Sequence, residues 1–415
     1  MSKLTKYKFN DLYEMSSGIS SSKEQAGHGS PFISFSTVFN NYFLPEELPD
    51  LMDTSLKEQE IFSVRKDDVF ITRTSETVDA LAMSCVAVKD YPKATFSGFV
   101  KRLRPKTTGI VYSKYIAFFL RSKYFRKVLD CNTIMTLRAS FNEDMFSFLY
   151  LYLPDYEEQV RIGDLLYKME MKIRTNNKIN DNLEQQAKLI YDYWFTQFDF
   201  PDENGKPYCS SGGKMVWNEQ LKRNIPENWN VVPLLKLVSW ESNSQPPKSE
   251  FVYEPKEGYV RFIQNRDYDS DTHITYIPRT KNLSIVDRFD ILMDKYGDAG
   301  AVRYGIEGAF NVALGKICVH NPNYREYIRS FLGSDGIYKF LHNSCMASTR
   351  ASLSEANLAI LNVVVPDEKI ILDYENFLHK IRVSILKNKD ETVELINLRD
   401  WLLPMLMNGQ ATISD

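Results

Sequence analysis

The run Arg138-Ala139-Ser140-Phe141-Asn142-Glu143 returns 212 residues later as Arg350-Ala351-Ser352-Leu353-Ser354-Glu355. The same spacing continues without a gap. Pro154-Asp155 falls on Pro366-Asp367, each after an apolar run (LYLYL and LNVVV) that reads as a strand, and each before a long stretch of helical periodicity. In the first copy Leu166, Met169, Ile173, Asn176, Asn180, Leu183, Ala187, Ile190 and Trp194 recur at alternating steps of three and four, the spacing of a coiled-coil seam. The second copy repeats the phase with Leu378, Ile381, Ile385, Asn388, Thr392, Leu395, Arg399, Leu402 and Leu406. Asp155 followed by Glu158 suits a capping box at the start of the first helix. Two unrelated amphipathic helices would not need to share phase at one spacing, so the chain is read as an internal duplication.

The expected order is a first globular domain at 1–154, a long helix at 155–200, a linker at 201–228, a second domain at 229–366, and a second long helix with a tail at 367–415. The linker is rich in glycine, proline and serine, residues that turn a chain back on itself. Strand-like runs such as Asp68–Thr72 and Asp290–Asp294 mix with helical runs such as Tyr112–Leu129, which gives a mixed α/β class for both domains. At 415 residues and 43% hydrophobic, two cores are the natural division.

Composition limits the chemistry. Cys85, Cys131, Cys209, Cys318 and Cys345 form no C-x-x-C pair, and His28, His273, His320, His342 and His379 show no paired spacing, so neither a zinc site nor a disulfide framework is expected. The N-terminus has no apolar leader core and no run is long enough to span a bilayer, which with unpaired cysteines points to the cytoplasm. A net charge of −3 argues against a protein that coats nucleic acid by bulk electrostatics. Local positive charge is present. Tyr91 to Leu129 contains no acid but holds Lys93, Lys101, Arg102, Arg104, Lys106, Lys114, Arg121, Lys123, Arg126 and Lys127, and within it the aromatic-interleaved ATFSGFVKRLRPK suits phosphate contacts. A solvated face balanced by acids elsewhere is the other reading of that stretch.

With LPDYEEQVRIGDLL and VPDEKIILDYENFL opening the two helices, GKPYCSSGGKMVWNEQLKRNIPENW entering the second domain and LRDWLLPMLMNGQATI closing the chain, the sequence resembles the specificity (S) subunits of Type I restriction-modification systems. That resemblance implies two variable target recognition domains separated by two long helices packed antiparallel. It also implies a subunit without catalytic residues, cofactor or metal, which binds double-stranded DNA with two half-sites and docks two copies of an adenine methyltransferase subunit. Restriction/translocase subunits would complete the assembly, with no part for a membrane.

The residues agree where they can be compared. Asn321-Pro322-Asn323-Tyr324 lacks the second proline of the motif that holds a flipped adenine, Gly297-Asp298-Ala299-Gly300 lacks nucleotide-turn spacing, and no phosphate-loop lysine motif occurs. The competing readings are a stand-alone methyltransferase or nuclease, with Asp202, Glu203 and Lys206 or Asp367, Glu368 and Lys369 as a metal cluster, and a two-domain scaffold. Acidic helix caps account for the clusters more simply.

Half-sites of different sequence must be read by residues that differ between the copies. Arg138 and Arg350, with Ser140 and Ser352, are shared, and serve either structure or phosphate anchoring. Base readout is expected from Ser34, Thr37, Asn40, Asn41, Arg73, Ser75, Glu76, Lys101 and Arg102, with Arg104 beside them, and from Gln264, Asn265, Arg266, Lys295, Tyr296, Arg303 and Asn311. Asn and Gln can pair bidentately with adenine, and Arg with guanine. Two expectations concern the helices. Their aromatic ends, Trp194, Phe195, Phe198 and Phe200 in one and Trp401, Leu402, Leu403, Leu406 and Met407 in the other, should pack on the domains and also bind the methyltransferase. Joining the seam ends Leu166 and Leu406 sets an antiparallel register in which Asn180 faces Thr392.

Overall fold

The computed structural model describes residues 3–75, 81–132, 139–269, 273–346 and 352–413. It divides into two compact units, Met1–Asn176 with Glu391–Asp415, and Asn177–Asp390.

The first unit is built on an antiparallel sheet ordered Tyr13–Ser17, Val100–Pro105, Val69–Thr72, Ser84–Val86. Successive side chains of a strand point to opposite faces, and here both faces are covered. Val69 and Ile71 join a core with Tyr115, Ile116 and Phe119 from the helix Ser113–Phe119, while Phe70 joins a second core with Ile33, Phe96 and Val100. This explains why VFIT reads as a continuous apolar run and not an alternating one. The expected helix over Tyr112–Leu129 breaks at Ser122, whose hydroxyl accepts the Phe125 N–H, and resumes as Lys123–Asn132. A smaller sheet places Ala26–Ile33 between Asp50–Met52 and Thr95–Phe96, the last pair running parallel.

The second unit repeats this topology. Its sheet is ordered Val238–Ser242, Leu314–Val319, Ile291–Asp294, Val302–Arg303, and a second sheet carries the parallel pair Phe262–Ile263 with Ala309–Phe310. Ile291 and Met293 face one core and Leu292 another, as Val69, Ile71 and Phe70 do in the first. Leading strands Thr5–Lys8 and Asn230–Pro233 each pair with the strand before a long helix, Tyr150–Leu153 and Asn362–Val365. Val100 corresponds to Leu314, Val69 to Ile291 and Thr5 to Asn230, so the spacing of 212 drifts to 214, 222 and 225 toward the N-terminus of each copy. Residues 201–228, read as a linker, fold into the hairpin Met215–Asn218 with Arg223–Pro226, and Ile225 and nearby Trp229 enter the core with Phe198 and Phe200.

The long helices are Tyr156–Tyr191 and Glu368–Met407. Asp155 caps the first, its carboxylate accepting the Glu158 N–H at 2.9 Å. The return arm of a capping box is replaced, because the Glu158 carboxylate binds Arg161 and accepts the Ile413 N–H. In the first unit Ile162 and Leu166 share a core with Leu403, Leu406 and Met407, and Asn176 donates to Glu391 at 2.9 Å and Thr392 at 3.5 Å. In the second, Asn388 donates to Asn180 at 2.9 Å, and Asn180 donates to the Ile385 carbonyl. Each unit therefore brings its helix segments together antiparallel along the expected seam. The register differs from the expectation: Asn180 meets Asn388, one turn before Thr392. Leu406 lies beyond Pro404 and packs into the domain core, so the apolar ends do not report the register. Satisfaction of the buried amides does.

Candidate nucleic-acid interface

In the first unit three segments meet at one corner, past the ends of the parallel strands. The Ser97 N–H donates to the Ile33 carbonyl at 3.0 Å, the Arg73 N–H to the Phe99 carbonyl at 2.9 Å, and the Phe141 N–H to the Arg73 carbonyl at 2.8 Å. The Ser97 hydroxyl accepts the Phe99 N–H and its carbonyl the Val100 N–H, closing a tight turn. Ser34 follows Ile33 and caps the helix Phe35–Asn40 through the Thr37 N–H. Arg73 stands exposed on this corner, with its Nη1 3.4 Å from the Gly98 carbonyl.

The second unit builds the same corner from equivalent atoms. The Asn311 N–H donates to the Ile263 carbonyl at 3.0 Å, Lys295 to Ala313 at 2.8 Å, and Leu353 to Lys295 at 2.9 Å. The Asn311 Oδ1 accepts the Ala313 N–H where the Ser97 hydroxyl accepts that of Phe99. Gln264 follows Ile263 and opens the helical turn Asn265–Tyr268. Lys295 thus occupies the place of Arg73, and Asn311 that of Ser97. Beside Lys295 lies Tyr296, 48% exposed. Buried Asp294 anchors this corner by accepting from Arg303 at 2.8 Å; burial pushes its carboxyl above the usual range, against the pull of that guanidinium.

The expected contacts separate by what their side chains already hold. Arg104 grips buried Asp68 through two bonds of 2.7 and 2.6 Å, and Arg102 donates to the Ser63 carbonyl at 2.6 Å with its guanidinium over the Phe96 ring. Lys101 is buried against the Ser17 hydroxyl, and burial holds its ammonium below the usual lysine range. Arg121 donates to the carbonyls of Ser84, Val38, Phe39 and Asn41, and Arg126 to those of Leu81, Ala82 and Leu120. Much of the charge in the stretch that reads as a basic face is thus turned inward, that of Lys101, Arg102 and Arg104 included. Thr37 is buried against Ser34 and Asp50, and Asn41 bonds the Thr37 carbonyl and Arg174 of the long helix. Arg303 spans Asp294 and Asp298, and the Gln264 amide donates to Thr275. Asn40 and Arg266 are exposed, Asn265 partly so, and among the described residues the Asn311 Nδ2 has no partner. Ser75 pairs its backbone with Ala139, next to Ser140. The Ser352 hydroxyl donates to the Leu353 carbonyl at 3.4 Å. Glu76, Arg138 and Arg350 lie outside the described residues.

Among the described residues no group of three or more His, Cys, Asp or Glu is arranged to hold a metal ion, and no helix is long and apolar enough to cross a membrane. Asp202 accepts the N–H groups of Asn204 and Lys206 and so shapes a turn.

The chain is thus a duplicated α/β domain, each unit carrying a basic corner and segments of both long helices. Comparison with known proteins finds similar chains. Residues 1–185 match the model described as the Type I restriction modification DNA specificity domain. The chain is 22% identical to the Type I restriction enzyme MjaIX specificity subunit of Methanocaldococcus jannaschii, over 98% of this chain and 93% of that protein. It is also 22% identical to the HindI specificity subunit of Haemophilus influenzae, over 91% and 94%. The crystal structure of the Type I S subunit from M. genitalium shares the fold, with a TM-score of 0.64 and 14% identity over 98% of this chain and 96% of that one. The resemblance drawn from the sequence is borne out: over nearly its whole length the chain is similar to Type I specificity subunits.

Proposed function

We infer that this chain is the sequence-recognition subunit of a Type I restriction-modification enzyme, reading a bipartite DNA target with one half-site per domain. The observation that carries the reading is the repeated corner, where a cation stands at one structural position in both copies while its neighbours differ. Arg73 and Lys295 each hold a phosphate, because charge on a fixed backbone positions a duplex without reading it. Asn40 in the first domain, and Arg266, Tyr296 and Asn311 in the second, are the base-edge contacts.

The chemistry belongs to partners: adenine methyltransferase in two copies, one on each unit, and restriction/translocase subunits joined through them, in the cytoplasm where their DNA lies. The chain itself transfers no methyl group. Leu189 and Trp401, equivalent at the spacing of 212 and 67% and 65% exposed, are the apolar points on which each methyltransferase seats.

The test is to map methylated adenines in a host that expresses this chain with its methyltransferase, and then to titrate the mapped duplex with the complex. Arg73→Ala and Lys295→Ala should each weaken binding across sequences and lower the salt slope by about one. Unchanged affinity and salt dependence in both variants would sink the assignment.

A further inference from the structure

Single exposed apolar side chains are common on protein surfaces and need no explanation alone. Phe99, 64% exposed, differs in what holds it and what stands beside it. Its carbonyl accepts the Arg73 N–H at 2.9 Å, its own N–H donates to the Ser97 hydroxyl at 3.2 Å, and the preceding Gly98 N–H donates to the Ile19 carbonyl at 2.7 Å. The turn has no slack. A Cβ on Gly18 would lie 2.3 Å from the Phe96 and Ser97 carbonyl oxygens, and one on Gly98 would lie 3.0 Å from that of Ile19. The backbone that carries the ring is thus closely packed and hydrogen-bonded, and no other aromatic ring packs against it among the described residues. The exposed guanidinium of Arg73 reaches across the same turn to the Gly98 carbonyl, so a polyanion drawn to Arg73 meets the ring of Phe99 next. In the second domain the equivalent position is Ala313, although the cation is kept as Lys295.

We propose that Phe99 is an apolar wedge that enters the duplex at a base step beside the phosphate held by Arg73 and opens the stacking there. The proposal rests on the DNA-recognition reading above and deepens it. A rigid apolar side chain can insert between base pairs because the energy spent on unstacking returns as contact with the bent duplex. The cost depends on the step, being lowest at pyrimidine–purine steps, so the first domain selects its half-site partly by deformability. The second domain, with alanine there, reads without a wedge.

The experiment uses the chain assembled with its methyltransferase and a duplex that carries the mapped methylation motif, with 2-aminopurine placed at one position of the first half-site at a time. The parent complex should raise fluorescence at one step besides the adenine that the methyltransferase flips. Phe99→Ala should abolish that rise and weaken binding about tenfold, with an unchanged melting temperature, and Phe99→Leu should retain most of both. If the parent binds and methylates its motif while Phe99→Ala matches it in affinity and fluorescence, the wedge is wrong and the recognition reading stands. If Phe99→Ala instead loses methyltransferase on gel filtration, the turn is a protein-docking surface and the wedge is likewise overturned. A parent complex that selects no motif removes the recognition reading and the wedge with it.

Discussion

At the scale of single residues, buried charge in the second unit carries a testable consequence. Arg382 sits between the carboxylates of Glu184 and Glu326, with Arg329 also on Glu326, and the Glu326 N–H donates to Glu375 at 2.7 Å. Burial pushes the Glu375 carboxyl up to about 7, helped by the Glu326 charge and opposed by that N–H, Arg329 and Arg325. The folded chain thus keeps a proton that the unfolded chain releases near pH 4.3. Stability from this group is full below that pH and is lost as pH rises through about 7. Glu375→Gln keeps the acceptor and removes the titration, so its melting temperature should gain on the parent between about pH 5 and pH 8. A difference that stays flat with pH would refute the account. Residue roles were only partly legible in the sequence. Arg121 gave no sign of its four carbonyl partners, because guanidinium-to-backbone bonds leave no periodic trace. The pair at the equivalent corner position was within reach: the strand-like runs Asp68–Thr72 and Asp290–Asp294, extended by one residue, end on Arg73 and Lys295.

Among the elements, the long helices were the most legible part because strict seam spacing and an uninterrupted offset both survive there. Even their ends correspond. Asp192 opens a π-helical turn through Thr196 at the end of the first helix, and 212 residues later Pro404, which has no N–H to donate, lies in the last turn of the second. Register was not legible from apolar ends, since Leu403, Leu406 and Met407 serve a domain core. For the same reason a truncation at Arg399 would strip that core along with any docking face. The polar layer itself can be measured. Asn180→Leu removes the oxygen to which the Asn388 amide donates across the seam and should cost about 1–3 kcal/mol, whereas Asn180→Leu with Asn388→Leu should recover most of the loss. Equal destabilisation by the single and double variants in denaturant titrations would show that the pair contributes little. The domain repeat was hidden for a different reason: insertions shift its spacing from 212 to 225, and strands buried on both faces lack the alternation that would reveal them.

For the whole molecule, the pairing of units with partners is the quantity to measure. If each unit seats one methyltransferase, Leu189→Ser and Trp401→Ser should each leave complexes with a single copy, and the double variant should leave none, with mass photometry counting the copies. Two copies retained on the double variant would move the docking site elsewhere. The seam has one more consequence. Asn176 meets Thr392, the counterpart of Asn180, and Asn180 meets Asn388, the counterpart of Asn176. Numbered within a single copy, both layers are one contact, 176 with 180, made twice. Such a contact is self-complementary, as in the interface of a two-fold homodimer. Within one chain the contact is kept while the two copies are free to differ, as Arg73 and Lys295 or Ser97 and Asn311 already do.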